Sequence, residues 1–262
     1  MEKLKIAGYA PVNGLDMYYE VYGEGTLPLV LIHGGGSTIE TTFGNMIPLL
    51  AGHRKLIAVE LQAHGRTADR GTPESFEQDA DDVAALLQYL KIDKADIFGF
   101  SNGGTTTLQI GIRHPQLVNK LIVAAGAYER NGFISGFFDG FENATIDNMP
   151  KALQEAFLKV TPDNDRLQVM FERDVERMKN FTDIPVDLIQ GIKAPVLFLS
   201  SQLDVITLEH AIKMSRTVNG AQLAILPGHH GEFLNTTESE AAKKGNNLYK
   251  ITAAIVEEFL GK

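Results

Sequence analysis

The chain has 262 residues, 44% of them hydrophobic and 22% charged, a balance that suits one large soluble domain or one domain carrying an insertion. A net charge of −9 argues against the basic surface that nucleic-acid phosphates require, and the absence of cysteine excludes disulfides and thiolate metal sites. No run reaches the roughly 18 apolar residues that span a bilayer, and residues 1–8 lack the apolar centre of a signal peptide, so the expected setting is cytoplasmic, with no membrane partner.

Within Tyr9–Tyr22, Asn13-Gly14 between β-rich flanks predicts a hairpin. The continuous apolar run Leu29–Ile32 then leads into His33-Gly34-Gly35-Gly36, and a second run, Leu56–Val59, leads into residues 60–66. Apolar runs without alternation are what a parallel sheet covered on both faces requires. Ser75 followed three residues later by Gln78 is a capping-box pattern, and Phe76, Ala80, Val83, Ala84 and Leu87 continue it at helical spacing. Strand Ala95–Phe100 meets Ser101, helix Asn102–Arg113 stops near Pro115, and Leu121–Ala124 is another buried strand.

Strand signals then vanish between residues 128 and 189, where Lys151–Val160 and Arg166–Lys179 read as polar helices. Alternation resumes with strand Pro195–Leu199, a helix at Leu208–Arg216, strand Gln222–Leu226 and a last helix at Leu248–Phe259. The expected architecture is α/β: a mostly parallel sheet with helices on both faces, built from residues 1–127 and 190–262, with residues 128–189 inserted as a small helical cap.

Gly99-Phe100-Ser101-Asn102-Gly103 has the form G-x-S-x-G and lies between a strand and a helix. A sharp turn there presents a serine hydroxyl in the open, where a neighbouring base can activate it as a nucleophile. Side chains at Gly99 and Gly103 would clash as strand and helix close on each other. The glycines after His33 fall at the same carboxyl edge of the sheet. The main-chain N–H groups of Gly35 and Asn102 are therefore the expected oxyanion donors, with Gly36 the neighbouring candidate. His33 is expected to be structural.

These motifs, with the segment Glu60–Arg66 and a late aspartate and histidine, resemble the α/β-hydrolase superfamily over essentially the whole chain. The likeness is greatest to its cap-bearing esterases and to the related carbon–carbon bond hydrolases and cofactor-free perhydrolases. The resemblance implies a nucleophile, acid, histidine order along the chain. It disfavours the members with an aspartate nucleophile, because Ser101 holds that position. It implies Asp204 as the acid, beyond the strand Pro195–Leu199, although Ser201 stands where relatives carry glycine; Asp187 is a poorer rival because it precedes the strand. Of the seven histidines, His229 and His230 follow the last strand, and the P-G-x-H-G loop of relatives selects His230, with His229 as the alternative base. His53, His64, His114 and His210 read as solvated or satisfied side chains. Glu60 and Ala63 replace the aspartate and glycine usual in relatives, in a loop that Arg66 and Thr67 are expected to anchor.

Phe133, Phe137 and Phe141 recur every four residues beside Gly132, Gly136 and Gly140. If helical, the rings form one stripe, and they serve either as packing on the domain core or as an apolar lid over an acyl pocket. Phe133, Phe137 and Gly36 are accordingly the candidate substrate contacts. The expectation is a serine hydrolase acting on small, uncharged esters through an acyl-enzyme, with a small-molecule substrate as its partner and with neither metal nor cofactor. The same triad also serves carbon–carbon bond cleavage or peracid formation, and a ligand receptor with an idle triad is the alternative from another class.

Overall fold

A computed structural model of the chain describes residues 6–239, 245 and 247–261. Its strands are β1 (Ile6–Val12), β2 (Leu15–Tyr22), β3 (Leu29–Ile32), β4 (Leu56–Val59), β5 (Ala95–Phe100), β6 (Val118–Ala124), β7 (Val196–Leu203) and β8 (Gln222–His229). They form one sheet in the order β1-β2-β4-β3-β5-β6-β7-β8. β2 runs antiparallel to both its neighbours, and all pairs from β4 through β8 are parallel. The β1–β2 hairpin turns at Asn13 and Gly14, whose φ of 45° and 84° are the left-handed pair that a two-residue turn of this hand needs.

The central strands alternate between two cores, which explains why they read as unbroken apolar runs. Val30, Ile32, Ile57, Val59 and Ile97 face one core, whereas Leu29, Leu31, Leu56, Ala58 and Phe98 face the other. On the second side lie two short helices that follow β3, α1 (Ile39–Phe43) and α2 (Ile47–Leu50). At five and four residues they are too short to show a helical period, and the sequence reading passes over them. The first side is covered by α3 (Phe76–Tyr89) and α4 (Asn102–Arg113). Ser75 caps α3 by accepting from the Gln78 N–H, while the Gln78 side chain turns to Asp82, so only half of the expected capping box forms.

Between β6 and β7 the chain adds no strand to the sheet. It forms α5 (Asp139–Glu142), α6 (Lys151–Val160), α7 (Asn164–Lys179) and α8 (Val186–Gln190). The phenylalanine segment is not one helix: a 3₁₀ turn covers Arg130–Gly132, and Gly136 at φ 78° interrupts the run before α5. The rings gather nonetheless, with Phe133 stacked on Phe137 at 4.6 Å and edge-on to Phe181 at 5.4 Å. α9 (Leu208–Thr217) and α10 (Leu248–Leu260) complete the described helices, α10 packing on the second core. Among the described residues no helix is long and apolar enough to cross a membrane.

At the turn from β5 to α4 the backbones leave no room for side chains. A Cβ on Gly99 would lie 1.9 Å from the Gly103 carbonyl oxygen, and one on Gly103 would lie 2.3 Å from that of Ile32. Gly103→Ala should therefore cost about 1–3 kcal/mol or more, the usual range for overpacking, read as a lower urea midpoint at unchanged slope. Gly52→Ala, where a Cβ meets nothing within 4 Å, should stay within about 0.5 kcal/mol of the parent. Equal midpoints for the two variants would contradict this account of the turn.

Candidate active site

Ser101 leaves β5 with φ 55° and ψ −119°, outside the range an L-residue adopts freely, and serves as the N-cap of α4. That conformation brings its hydroxyl to the carboxyl edge of the sheet, to which β7 and β8 also deliver their ends. His230, one residue past β8, places Nε2 at 3.1 Å from the Ser101 Oγ and Nδ1 at 2.6 Å from the Asp204 Oδ1. Asp204 also accepts from the Ser201 N–H at 3.1 Å and the Ile206 N–H at 3.3 Å. The structure thus joins the three expected residues in one hydrogen-bonded line. The neighbouring candidates stand apart: the His229 side chain is exposed, and Asp187 is exposed on α8.

Ser201, the departure from the usual glycine, has a use here. Its hydroxyl donates to the His229 carbonyl at 2.7 Å and so ties the end of β8 to the strand that carries Asp204. The Phe100 ring packs against His230 at 4.8 Å and limits its swing. Burial opposes charge on both partners of the His230–Asp204 pair. Their mutual attraction outweighs it, so Asp204 is held below the usual carboxylate range and His230 is raised above the usual imidazole value.

Opposite the histidine lie the glycines after β3. A Cβ on Gly34 would come within 3.2 Å of the Ser101 Cβ, and one on Gly35 within 2.6 Å of the Asn102 side-chain nitrogen. Only glycine allows the two loops this approach. Asn102 is the first residue of α4, so its N–H has no acceptor within the helix. The N–H of Gly35 has no acceptor among the described residues. His33 is structural, as expected. Its Nδ1 donates to the Gly34 carbonyl at 2.7 Å, its Nε2 accepts from the Leu61 N–H at 3.1 Å, and burial pushes its pKa down to about 3.

Residues 60–67 form the next loop. The buried Glu60 carboxylate accepts from the Arg66 N–H at 2.6 Å and its guanidinium at 2.8 Å, and Thr67 donates to the Glu60 carbonyl at 2.6 Å. Arg66 and Thr67 therefore anchor the loop as the sequence suggests. Ala63 takes φ 61°, the left-handed conformation that suits the glycine of relatives.

One side chain at this edge, Asp174, escaped the sequence reading, and the place of another, His64, was not read. Asp174, on α7, accepts from the Gly36 N–H at 2.5 Å and from His64 Nε2 at 3.0 Å, and takes a weaker bond from the Asn102 side chain at 3.3 Å. His64 is a satisfied histidine, as expected, but it is satisfied inside the site. Within the charged run of α7 nothing in the local sequence sets Asp174 apart.

A cavity of about 410 Å³ opens from Ser101 and His230 beneath the helices that follow β6. Gly36, Phe133 and Phe137 line it, as does Phe141, so the rings both pack on one another and face the cavity. Its wall is otherwise largely aliphatic and Met-rich; among the described residues Asp174 is its one carboxylate and no lysine or arginine lines it.

Comparison with known proteins identifies the family. The sequence profile of the alpha/beta hydrolase fold matches residues 28–169, more than half of the chain. The chain belongs to the α/β-hydrolase family. Human "Serine hydrolase BPHL" is 27% identical over 239 residues, covering 85% of this chain and 79% of that protein. The 2-hydroxymuconate semialdehyde hydrolase of Pseudomonas sp. (strain CF600) is 33% identical over 133 residues, 45% of this chain and 46% of that one. Among solved structures, the 2-hydroxy-6-oxo-6-phenylhexa-2,4-dienoate hydrolase of Rhodococcus sp. strain RHA1 superposes with a TM-score of 0.79 at 18% identity, over 99% of each chain. The enol-lactonase of Burkholderia xenovorans LB400 gives 0.74 at 20% identity, over 97% of this α/β-hydrolase and 100% of that one. At such identities the structural likeness is one of fold.

A fluorophosphonate probe should label this α/β-hydrolase on Ser101, as only an activated serine is phosphonylated at useful rates. His230→Ala should lose the labelling and His229→Ala should keep it, as located by peptide mass spectrometry. A label on another residue, or labelling indifferent to His230, would contradict the arrangement.

Proposed function

We propose that this hydrolase cleaves carboxylic esters of small, uncharged substrates through an acyl-enzyme. His230 Nε2 takes the Ser101 proton as Oγ attacks the ester carbonyl, and Asp204 holds the imidazole in the required tautomer and stabilises its charge. The N–H groups of Gly35 and Asn102 receive the oxyanion. Protonated His230 gives its proton to the departing alcohol, and water activated by the same base then attacks the acyl carbon and frees Ser101. Residues 128–189 act as a cap over the cavity, and Phe133 and Phe137 form its apolar wall. The reaction needs neither metal nor cofactor.

The observation that carries the reading is the Ser101–His230–Asp204 hydrogen-bonded line opening into an apolar cavity. The relatives include hydrolases of dienoic acids, for which carbon–carbon bond cleavage is the rival reading. A substrate with a free carboxylate needs a cationic partner in a site of low dielectric. Among the described residues no lysine or arginine lines this cavity, which favours esters. An idle triad in a receptor would leave the orienting bonds of Asp204 and the strain at Ser101 without use.

The test is a panel of short p-nitrophenyl esters, lactones, amides and dienoic keto acids. Repeated turnover of neutral esters is expected; turnover confined to the keto acids would replace the ester reading. For the preferred ester, kcat/KM should rise with pH, because the base must be unprotonated. Its attraction to Asp204 raises the His230 pKa, so the midpoint should lie above the ordinary imidazole value of about 6.5. A midpoint well below that value, or no dependence between pH 5 and 8, would contradict the assigned base. EDTA should leave the rate unchanged.

A further inference from the structure

We propose that Asp174 is a positioning residue for the oxyanion hole, fixed as a carboxylate by a protonated His64, so that the hole is complete only while α7 is docked on the sheet edge. The inference rests on the reading of Gly35 and Asn102 as oxyanion donors, but not on the identity of the substrate.

The hydrogen bonds, with the charges around them, assign the protons. His64 Nδ1 lies 2.7 Å from the Gln62 carbonyl and Nε2 lies 3.0 Å from the Asp174 carboxylate. The Gln62 carbonyl can only accept, so Nδ1 carries a proton; Asp174, which also accepts from the Gly36 N–H and is held below the usual carboxylate range, accepts from Nε2, so the ring is an imidazolium. The Gly36 N–H also lies 3.2 Å from Nε2, but a protonated nitrogen offers it no lone pair, and its bond goes to Asp174 at 2.5 Å. Burial works against the charge on His64. The Asp174 carboxylate more than offsets this and carries the pKa up to about 9, while Asp174 is held down to about 2. The other groups facing the pair are Glu74, Asp79 and Arg177, with the neutral His33 ring 4.8 Å from His64.

The carboxylate touches both halves of the proposed hole without occupying either donor. One oxygen holds the Gly36 N–H, which fixes the peptide next to Gly35, and the other takes the Asn102 side chain. Gly36 sits at φ 65°, a conformation glycine enters and leaves freely, so an external acceptor is what holds this loop in one state. Three residues along α7, Arg177 pairs with Glu74 and, at 3.1 Å, with Asp79 of α3, all buried. One helix thus reaches the oxyanion loop through Asp174 and the core through Arg177. A lone anion at this place would oppose the developing oxyanion; the His64 charge cancels it, leaving the positioning effect.

The experiment measures phosphonylation of Ser101 by a fluorophosphonate, alongside ester turnover, from pH 6 to 10 in wild type, Asp174→Asn and Asp174→Ala, with folding checked by thermal unfolding. Misplacement of an oxyanion donor should slow the reaction on the order of 10- to 100-fold in Asp174→Ala, with KM for esters changed less than about threefold because the interaction is made in the transition state. Asp174→Asn keeps an acceptor for the Gly36 N–H and should recover part of the loss. Wild type should lose rate above about pH 9 as His64 releases its proton, and this limb should be absent from Asp174→Asn. A general structural defect would not remove it. Folded variants within twofold of wild type, or an alkaline limb that survives in Asp174→Asn, would overturn the proposal; should Asp174→Ala not fold, the Asn variant decides alone. If no ester is turned over by any of the proteins, the ester reading fails and the phosphonylation rates still decide this one.

Discussion

The backbone contact between β5 and α4 is the constraint on which the rest of the site depends. Gly99 lets the helix lie against β5 with no side chain between them, Gly103 and Gly104 let its first turn lie against the ends of β3 and β6, and the turn that results holds Ser101 at a left-handed φ. Such a conformation costs about 1–3 kcal/mol, and the surrounding core has to hold it. That holding is supplied by strands buried on both faces and packed against α3 and α4 on one side and α10 on the other. With Ser101 fixed at the carboxyl edge, the ends of β3, β7 and β8 can each be read for what they bring to it.

Charge is arranged around that point in two separate pairs. On one side, His230 and Asp204 stabilise each other's charged forms while the histidine keeps Nε2 toward the serine. On the other, His64 and Asp174 form a second imidazole–carboxylate pair, both of whose ring protons are already committed. The first pair can therefore exchange a proton with Ser101 and the second cannot. Beneath the second pair, Arg177 meets Glu74 and Asp79 in a fully buried cluster. Buried ion pairs rarely add net stability over apolar packing, but breaking one is costly, so the cluster specifies where α7 sits more than it strengthens the fold.

Much of this is legible in the sequence because it follows local rules. The Asn13-Gly14 hairpin, the Ser75 cap, the unbroken apolar strands and the glycines flanking Ser101 each announce themselves within a few residues. The span Asn102–Arg113 read from the sequence coincides with α4. Other features depend on partners far along the chain. β7 runs to Leu203 rather than Leu199 because Ser200–Leu203 pair with the last residues of β8, a register that the polar run does not reveal. The phenylalanines keep a helical spacing without forming one helix, because Gly136 breaks the run and the rings find each other across the turn. Asp174 meets Gly36 across 138 positions of sequence, and nothing local marks it.

The central claim is that Ser101 carries the acyl group between two half-reactions. It is tested most directly by rapid mixing of excess enzyme with a p-nitrophenyl ester, followed by acid quench and peptide mass spectrometry. The account predicts a burst of up to one nitrophenol per enzyme together with an acyl group on the peptide containing Ser101, the adduct decaying at the rate of steady-state turnover. Nitrophenol release without any acylated peptide, or acylation of another residue with Ser101→Ala still turning over, would contradict it.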